Sequence, residues 1–174
     1  MRFLRHFGQV LAMGVVLGVA FAPGLCVGPA LAQGASVAFG GLKQDTTLPV
    51  EIGADQLAVN NADGTAVFSG NVLVGQGEMR LAAARVEVTY GTDGRSIRTL
   101  KATGGVTVSN LADAAEAKEA LYTIDSGIVV LTGDVLLTQG QSALSGQKLT
   151  LDLKSGTGVM EGRVQTTFLP SGAP

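Results

Sequence analysis

Arg95, Arg98 and Lys101 stand close together in this sequence, with Arg80 and Arg85 just upstream, and they are the side chains best suited to hold a charged ligand. Guanidinium and ammonium groups placed together bind phosphate or carboxylate oxygens through charge-assisted hydrogen bonds. The same five residues equally suit a solvated strand face. Gly75-Gln76-Gly77 resembles a phosphate cradle, but no helix pattern and no Gly-Lys-Ser/Thr run follows it, so a hairpin turn is the better reading. The serines at 69, 109, 126, 142, 145 and 155 sit mostly at turns, and the acids are scattered along polar faces. His6 and Cys26 are the single histidine and the single cysteine, and both fall in the first 32 residues. Beyond them the chain has no imidazole base, no thiol nucleophile and none of the common zinc ligands. The expectation is a protein that is not an enzyme and uses neither metal nor cofactor.

Those first residues read as an address. Arg2, Arg5 and His6 make a positive start, residues 10–21 are apolar, and Ala30-Leu31-Ala32 supplies a small-x-small cleavage pattern. Residues 1–32 are therefore expected to be a secretory signal cut after Ala32. Pro23 and the glycines at 14, 18, 24 and 28 interrupt the run before the roughly 20 apolar residues of a membrane span accumulate. Leu25 directly before Cys26 is a poor match to a lipid-attachment signal. Of 12 basic and 14 acidic residues, Arg2 and Arg5 leave with the signal, so the remainder carries ten against fourteen, a net charge of −4. Nucleic acid is not an expected partner. With no disulfide, packing must supply stability, and with only Phe39, Phe68, Tyr90, Tyr122 and Phe168 as aromatics, any core is built from Val, Leu, Ile and Ala.

Residues 33–47, small and polar, read as a flexible lead-in. From Leu48 onward short apolar alternations are broken by turn signals: Asp63-Gly64, Gly75-Gln76-Gly77, Thr92-Asp93-Gly94, Ser126-Gly127, Gly140 and Ser155-Gly156. Val86, Val88 and Tyr90 share one parity, as do Leu149, Leu151 and Leu153, and period-two alternation gives a sheet with one apolar face. Residues 68–90 align without a gap on residues 131–153, with identities at Gly70/Gly133, Val72/Val135, Leu73/Leu136, Gln76/Gln139, Gly77/Gly140 and Leu81/Leu144. An apolar-x-Gly-x-Val signature occurs four times, with its glycines at 70, 104, 133 and 162. Such repeats mark stacked units too small to bury a face alone, and each glycine is expected where the chain bends round a corner. Residues 111–121 have strong helix propensity, yet Ala120, Tyr122 and Ile124 alternate into Ser126-Gly127. A loop running into a strand is preferred there to a turn of helix.

Pro49-Val50-Glu51-Ile52-Gly53-Ala54-Asp55, Phe68-Ser69-Gly70-Asn71-Val72-Leu73-Val74, Leu131-Thr132-Gly133-Asp134-Val135 and Arg163-Val164-Gln165-Thr166-Thr167-Phe168-Leu169-Pro170 together resemble the OstA-like, LptA-family periplasmic proteins of lipopolysaccharide transport. The resemblance implies an all-β fold, an elongated, twisted, open β-jellyroll over residues 48–170 with a short tail at 171–174. It also implies a periplasmic bridge without catalytic activity that shelters lipid A acyl chains. Such a bridge joins head to tail with copies of itself and with same-fold inner-membrane-anchored and outer-membrane components. Groove residues implied by the resemblance are Val50, Ile52, Tyr122 and Ile124; parity alone adds Val72, Val74, Val106, Val108, Val135 and Leu137. The edge strands for assembly would be Val50, Glu51 and Ile52 at one end and Val164, Gln165, Thr166, Thr167 and Phe168 at the other. Exposing one acyl chain to water costs on the order of 10 kcal/mol at about 0.8 kcal/mol per methylene, so a carrier must cover all of it. The same inward valines and leucines also suit an ordinary packed core. Rival readings are the membrane-anchored subunit of the same exporter, a structural β-repeat with no ligand, and a polysaccharide-processing enzyme on a β-helix.

Overall fold

Alternation of apolar and polar residues, punctuated by glycine turns, folds this chain into a run of antiparallel strands. The computed structural model describes residues 35–38, by their backbone alone, 43–111 and 113–168. The expected signal peptide, residues 33–34 and 39–42, and everything from Leu169 to the end lie outside the described residues. The strands are β1 (Ala35–Ala38), β2 (Glu51–Gly53), β3 (Gln56–Asn60), β4 (Thr65–Gln76), β5 (Met79–Tyr90), β6 (Ile97–Ser109), β7 (Asp113–Thr123), β8 (Ile128–Gln139), β9 (Ser142–Asp152), β10 (Thr157–Glu161) and β11 (Gln165–Thr167). They form one sheet in the order β1-β10-β9-β8-β7-β6-β5-β4-β2, with β3 also on β4 and β11 also on β9.

Every long strand is broken near its middle. The ladder register shifts between Ser69 and Val72, Ala83 and Arg85, Thr103 and Val106, Glu116 and Glu119, and Thr132 and Val135. The four signature glycines sit on this line with φ of +78° at Gly70, +85° at Gly104, +84° at Gly133 and +82° at Gly162. A side chain is disfavoured in that left-handed region. The line is also crowded, because the Cβ that Gly104 lacks would lie 2.7 Å from the Ala84 Cβ, and the one Gly162 lacks 2.7 Å from the Gln147 Cβ. The glycine repeat is thus a crease that divides the sheet into two leaves. Leaf A holds β2, residues 72–76, 79–83, 106–109, 113–117, 135–139 and 142–146, and β11. Leaf B holds β3, residues 65–69, 85–90, 97–103, 119–123, 128–132 and 148–152, β10 and β1.

One sheet cannot remove a face from water unless it folds over itself, and most of this face is removed. Val74, Leu81, Val108, Ala115 and Leu137 of leaf A, and Val86, Val88, Leu100, Val129 and Leu149 of leaf B, are at most 1% exposed. Each fully buried valine or leucine contributes about 1.5–3 kcal/mol from apolar area alone.

Two expectations are corrected. Residues 113–123 form a complete strand that starts before the Ala120 alternation, because the flanking ladders of β6 and β8 hold it extended and its small alanines fit the inner face beside the crease. Tertiary pairing here overrides helix propensity. Ala35–Ala38, in the lead-in read as flexible, instead pairs antiparallel with β10, from Ala35 opposite Met160 to Ala38 opposite Thr157. Residues 44–48 are likewise tied down by hydrogen bonds. An open strand edge needs a ladder partner, and even a short small-residue stretch supplies one.

Candidate functional site

The inner face is the site that the sequence singles out. Val72, Val74, Val106, Val108, Tyr122, Val135 and Leu137 all lie on it and are at most 2% exposed. Val50, Ile52 and Ile124 pack against it half-buried at its margins. The six parity assignments are therefore all inward and all on leaf A, while Tyr122 faces them from leaf B. The interior is closed around them, however, since solvent does not reach these side chains. Anything long and apolar enters only if the leaves part.

The leaves also meet through a polar contact amid this apolar surface. Tyr122 of leaf B donates its hydroxyl to Gln76 Oε1 of leaf A at 2.6 Å. Gln76, 1% exposed, in turn donates from Nε2 to the carbonyls of Thr46 at 3.0 Å and Leu48 at 2.9 Å. A buried amide with all its groups paired is stable; leaving one unpaired costs about 1–3 kcal/mol. Burial pushes the Tyr122 phenol up to about 12 from the ordinary 10.0, so it remains a neutral donor at physiological pH. The sign follows from linkage: an acid raised in the folded state contributes stability fully present below pH 10 and lost as pH climbs to 12. The wild type should lose roughly 2 kcal/mol over that interval from this group. Tyr122→Phe is expected to start about 1 kcal/mol less stable at pH 7 and to lack that component of the alkaline decline. Urea unfolding at pH 7, 10 and 11.5 checks both.

The two ends of the roll differ. Leaf A ends in β2 at one side and in the exposed β11 at the other, where Phe168 follows at 71% exposure. These are the strands expected as assembly edges, with Glu51 exposed and Val164 half-buried. Leaf B ends in β3, whose Leu57 and Val59 lie opposite Phe68 and Ala66 and so share the inward parity. No strand covers them, and they are 57% and 60% exposed. Sequence reasoning missed this uncovered end, although Leu57-x-Val59 followed by the turn at Asp63-Gly64 and then Ala66-x-Phe68 carries the signal. At its other side leaf B ends in β1, paired with β10.

The basic residues are not brought together. Arg80 faces outward on leaf A, where its Nη1 donates to the carbonyls of Gly77 at 2.6 Å and Met79 at 2.8 Å. Arg85 and Lys101 point outward on leaf B, Lys101 opposite Glu87. Arg98 shares a shallow cleft of about 310 Å³ with Asp93 and Asp125. The larger cleft of about 590 Å³, between Leu48, Glu51, Leu73 and Arg80, lies at the outer side of β2 rather than between the leaves. Of Gly75-Gln76-Gly77, read as a hairpin turn, the first two residues end β4 and only Gly77, with Glu78, makes the β4–β5 turn. Among the described residues no cluster of His, Cys, Asp or Glu is placed to hold a metal ion, and no helix is long and apolar enough to cross a membrane.

An antiparallel sheet creased along glycines, apolar over most of its inner face and ending in strands with one edge unpaired, defines the open β-jellyroll class. Residues 51–157 match the family described as LptA/(LptD N-terminal domain) LPS transport protein, and the chain belongs to that family. It is a family of transport proteins, not of enzymes. The chain is 29% identical over 126 residues to the lipopolysaccharide export system protein LptA of Escherichia coli (strain K12), covering 69% of this chain and 68% of that one. It is 26% identical to LptA of Haemophilus influenzae over 79% of this chain and 86% of that one. An uncharacterized protein of Rhizobium meliloti (strain 1021) is 28% identical over 75% and 76% of the two chains. In fold, the chain is similar to the crystal structure of LptH, the LptA-homologous periplasmic component of the lipopolysaccharide transport device of Pseudomonas aeruginosa. The TM-score is 0.66 at 18% identity, over 72% of this chain and 99% of that one.

Proposed function

We propose that this member of the lipopolysaccharide transport family is a periplasmic bridge that takes the lipid's acyl chains between its two leaves and passes them on through end-to-end contacts. The observation that carries this reading is the apolar inner face, continuous through both leaves and left uncovered at Leu57 and Val59. Val50, Ile52, Val72, Val74, Val106, Val108, Tyr122, Ile124, Val135 and Leu137 line the path. Covering one acyl chain recovers on the order of 10 kcal/mol of apolar transfer energy, which exceeds the whole stability of many domains. The lipid therefore supplies enough free energy to part the leaves. Open edges at β2, β3 and β11 accept strands of neighbours carrying the same fold, by strand addition. Export with cleavage after Ala32 puts the chain in the right compartment, and a mature N-terminus at Gln33 checks it by mass spectrometry.

A closed interior taken alone also suits a β-repeat scaffold that holds no ligand. Photo-crosslinkers placed at Val50, Ile52, Tyr122 and Ile124 separate the two readings. Adducts with lipopolysaccharide in cells are expected from these four and not from the outward positions Glu87 and Asp152. Adducts from the outward pair alone would sink the carrier reading.

A further inference from the structure

We infer that residues 44–48 are a strap that gates the interior, with Gln76 as its catch. The inference rests on the carrier reading above. The crease closes one long side of the folded sheet. The opposite side is where the hairpin turns of the two leaves approach each other, and it is there that the leaves must part. Residues 44–48 run across that side and bond to both leaves.

On leaf B, Gln44 donates its backbone N–H to the carbonyl of Leu153 at 2.8 Å, just past β9. Thr46 lies over the β7–β8 turn, its Cγ2 3.1 Å from where a Gly127 Cβ would stand. On leaf A, Gln44 Nε2 donates to the Gln76 carbonyl, and Gln44 Oε1 accepts the Met79 N–H at 3.0 Å. Gln76 then holds the carbonyls of Thr46 and Leu48, as described above, while its Oε1 takes the Tyr122 hydroxyl from leaf B. Leu48 closes down on Gly77, its Cδ1 2.9 Å from where a Cβ at Gly77 would be. The strap and the contact between leaves thus share one side chain.

This arrangement is suited to a gate rather than to permanent closure. The bonds are uncharged hydrogen bonds, each modest against water, and residues 43–48 are exposed or half-buried rather than buried in the core. They sit on a segment that precedes the β2 edge, not on the central strands. Parting the leaves at Gln76 frees the strap, and lifting the strap unpairs Gln76, so the two open together.

Two variants of the full chain test this, with fluorophore-labelled lipopolysaccharide as the probe and loading followed by anisotropy. Gln44→Ala removes both bonds from Gln44 to the β4–β5 hairpin, and is expected to speed loading and Met79 amide exchange roughly tenfold, the equivalent of one or two ordinary hydrogen bonds. Thr46→Cys with Gly127→Cys, combined with Leu48→Cys and Gly77→Cys, ties the strap to both leaves, and is expected to block loading when oxidised and to restore it on reduction. The gate is overturned if the wild type loads and neither Gln44→Ala nor oxidation of the cysteine pairs changes the rate. A wild type that takes up no lipid overturns the carrier reading itself, and the gate with it.

Discussion

Gly104→Ala is expected to lower the free energy of unfolding by about 3 kcal/mol, while Gly105→Ala, one residue further along the same strand, costs only about 1 kcal/mol. Both glycines have nearly the same backbone, φ +85° and +82°, so the penalty of forcing an L side chain into the left-handed region, about 1–2 kcal/mol, is common to both. They differ in surroundings. A Cβ at Gly105 meets nothing within 4 Å, whereas one at Gly104 comes 2.7 Å from the Ala84 Cβ. Overpacking of that kind costs typically 1–3 kcal/mol, and Ala84 has no flexible side chain to swing aside. For a folded unit of this size the difference should appear as a gap of roughly 6 °C between the two thermal midpoints. Ala84→Gly introduced into the Gly104→Ala background should recover the contact penalty and leave the dihedral one. Equal midpoints for Gly104→Ala and Gly105→Ala would show that the crease needs flexibility alone and not close approach. Gly133→Ala is expected to fall between them, because of its obstructing atoms the Lys118 Cδ at 2.9 Å can swing away while the Lys118 Cβ at 3.0 Å cannot.

This crease is the part of the fold most legible in the sequence. A glycine recurring in apolar-x-Gly-x-Val four times has no role in a flat ladder, so its repetition points to a shared bend. Alternation likewise placed Val86, Val88, Leu149 and Leu151 inward without any coordinates. The same rule, taken one step further, assigns Gln76: Val72, Val74 and Gln76 share a parity, so the glutamine belongs to the inner face. Its neighbours Gly75 and Gly77 pointed to a turn, and a turn suggests solvent. Parity was the stronger rule, because the strand continues through Gln76 before the chain reverses. β1 was not legible, since Ala-Ser-Val-Ala carries almost no pattern and is extended only because β10 offers it an edge. The alanine-rich β7 failed for a related reason: its local preference is helical, and only the neighbouring strands outweigh it. Features carried by each residue's own period were readable, whereas those imposed by a distant partner were not.

Leu57→Glu combined with Val59→Glu is expected to leave the isolated fold almost unchanged and to weaken the proposed end-to-end association by at least a hundredfold. The two side chains face the interior side of β3, yet they are more than half exposed. Substituting them removes little buried area, and the thermal midpoint should move by no more than about 2 °C. In the proposed assembly another copy, or a related fold, lays its terminal strand on β3, and those positions become covered. Two carboxylates would then have to be desolvated without partners, at several kcal/mol each, and every 1.4 kcal/mol is a factor of about ten in affinity. Outward substitutions on the same strand, such as Ala58→Glu, keep their charge in water and should have little effect, which separates the inward face from the strand's general tolerance of charge. Sedimentation velocity over a range of concentrations reads the association, and thermal unfolding of the same samples reads the fold. If the double variant associates as the wild type does, β3 is not the surface through which the chains join, and the remaining edges, β1, β2 and β11, are where assembly has to run.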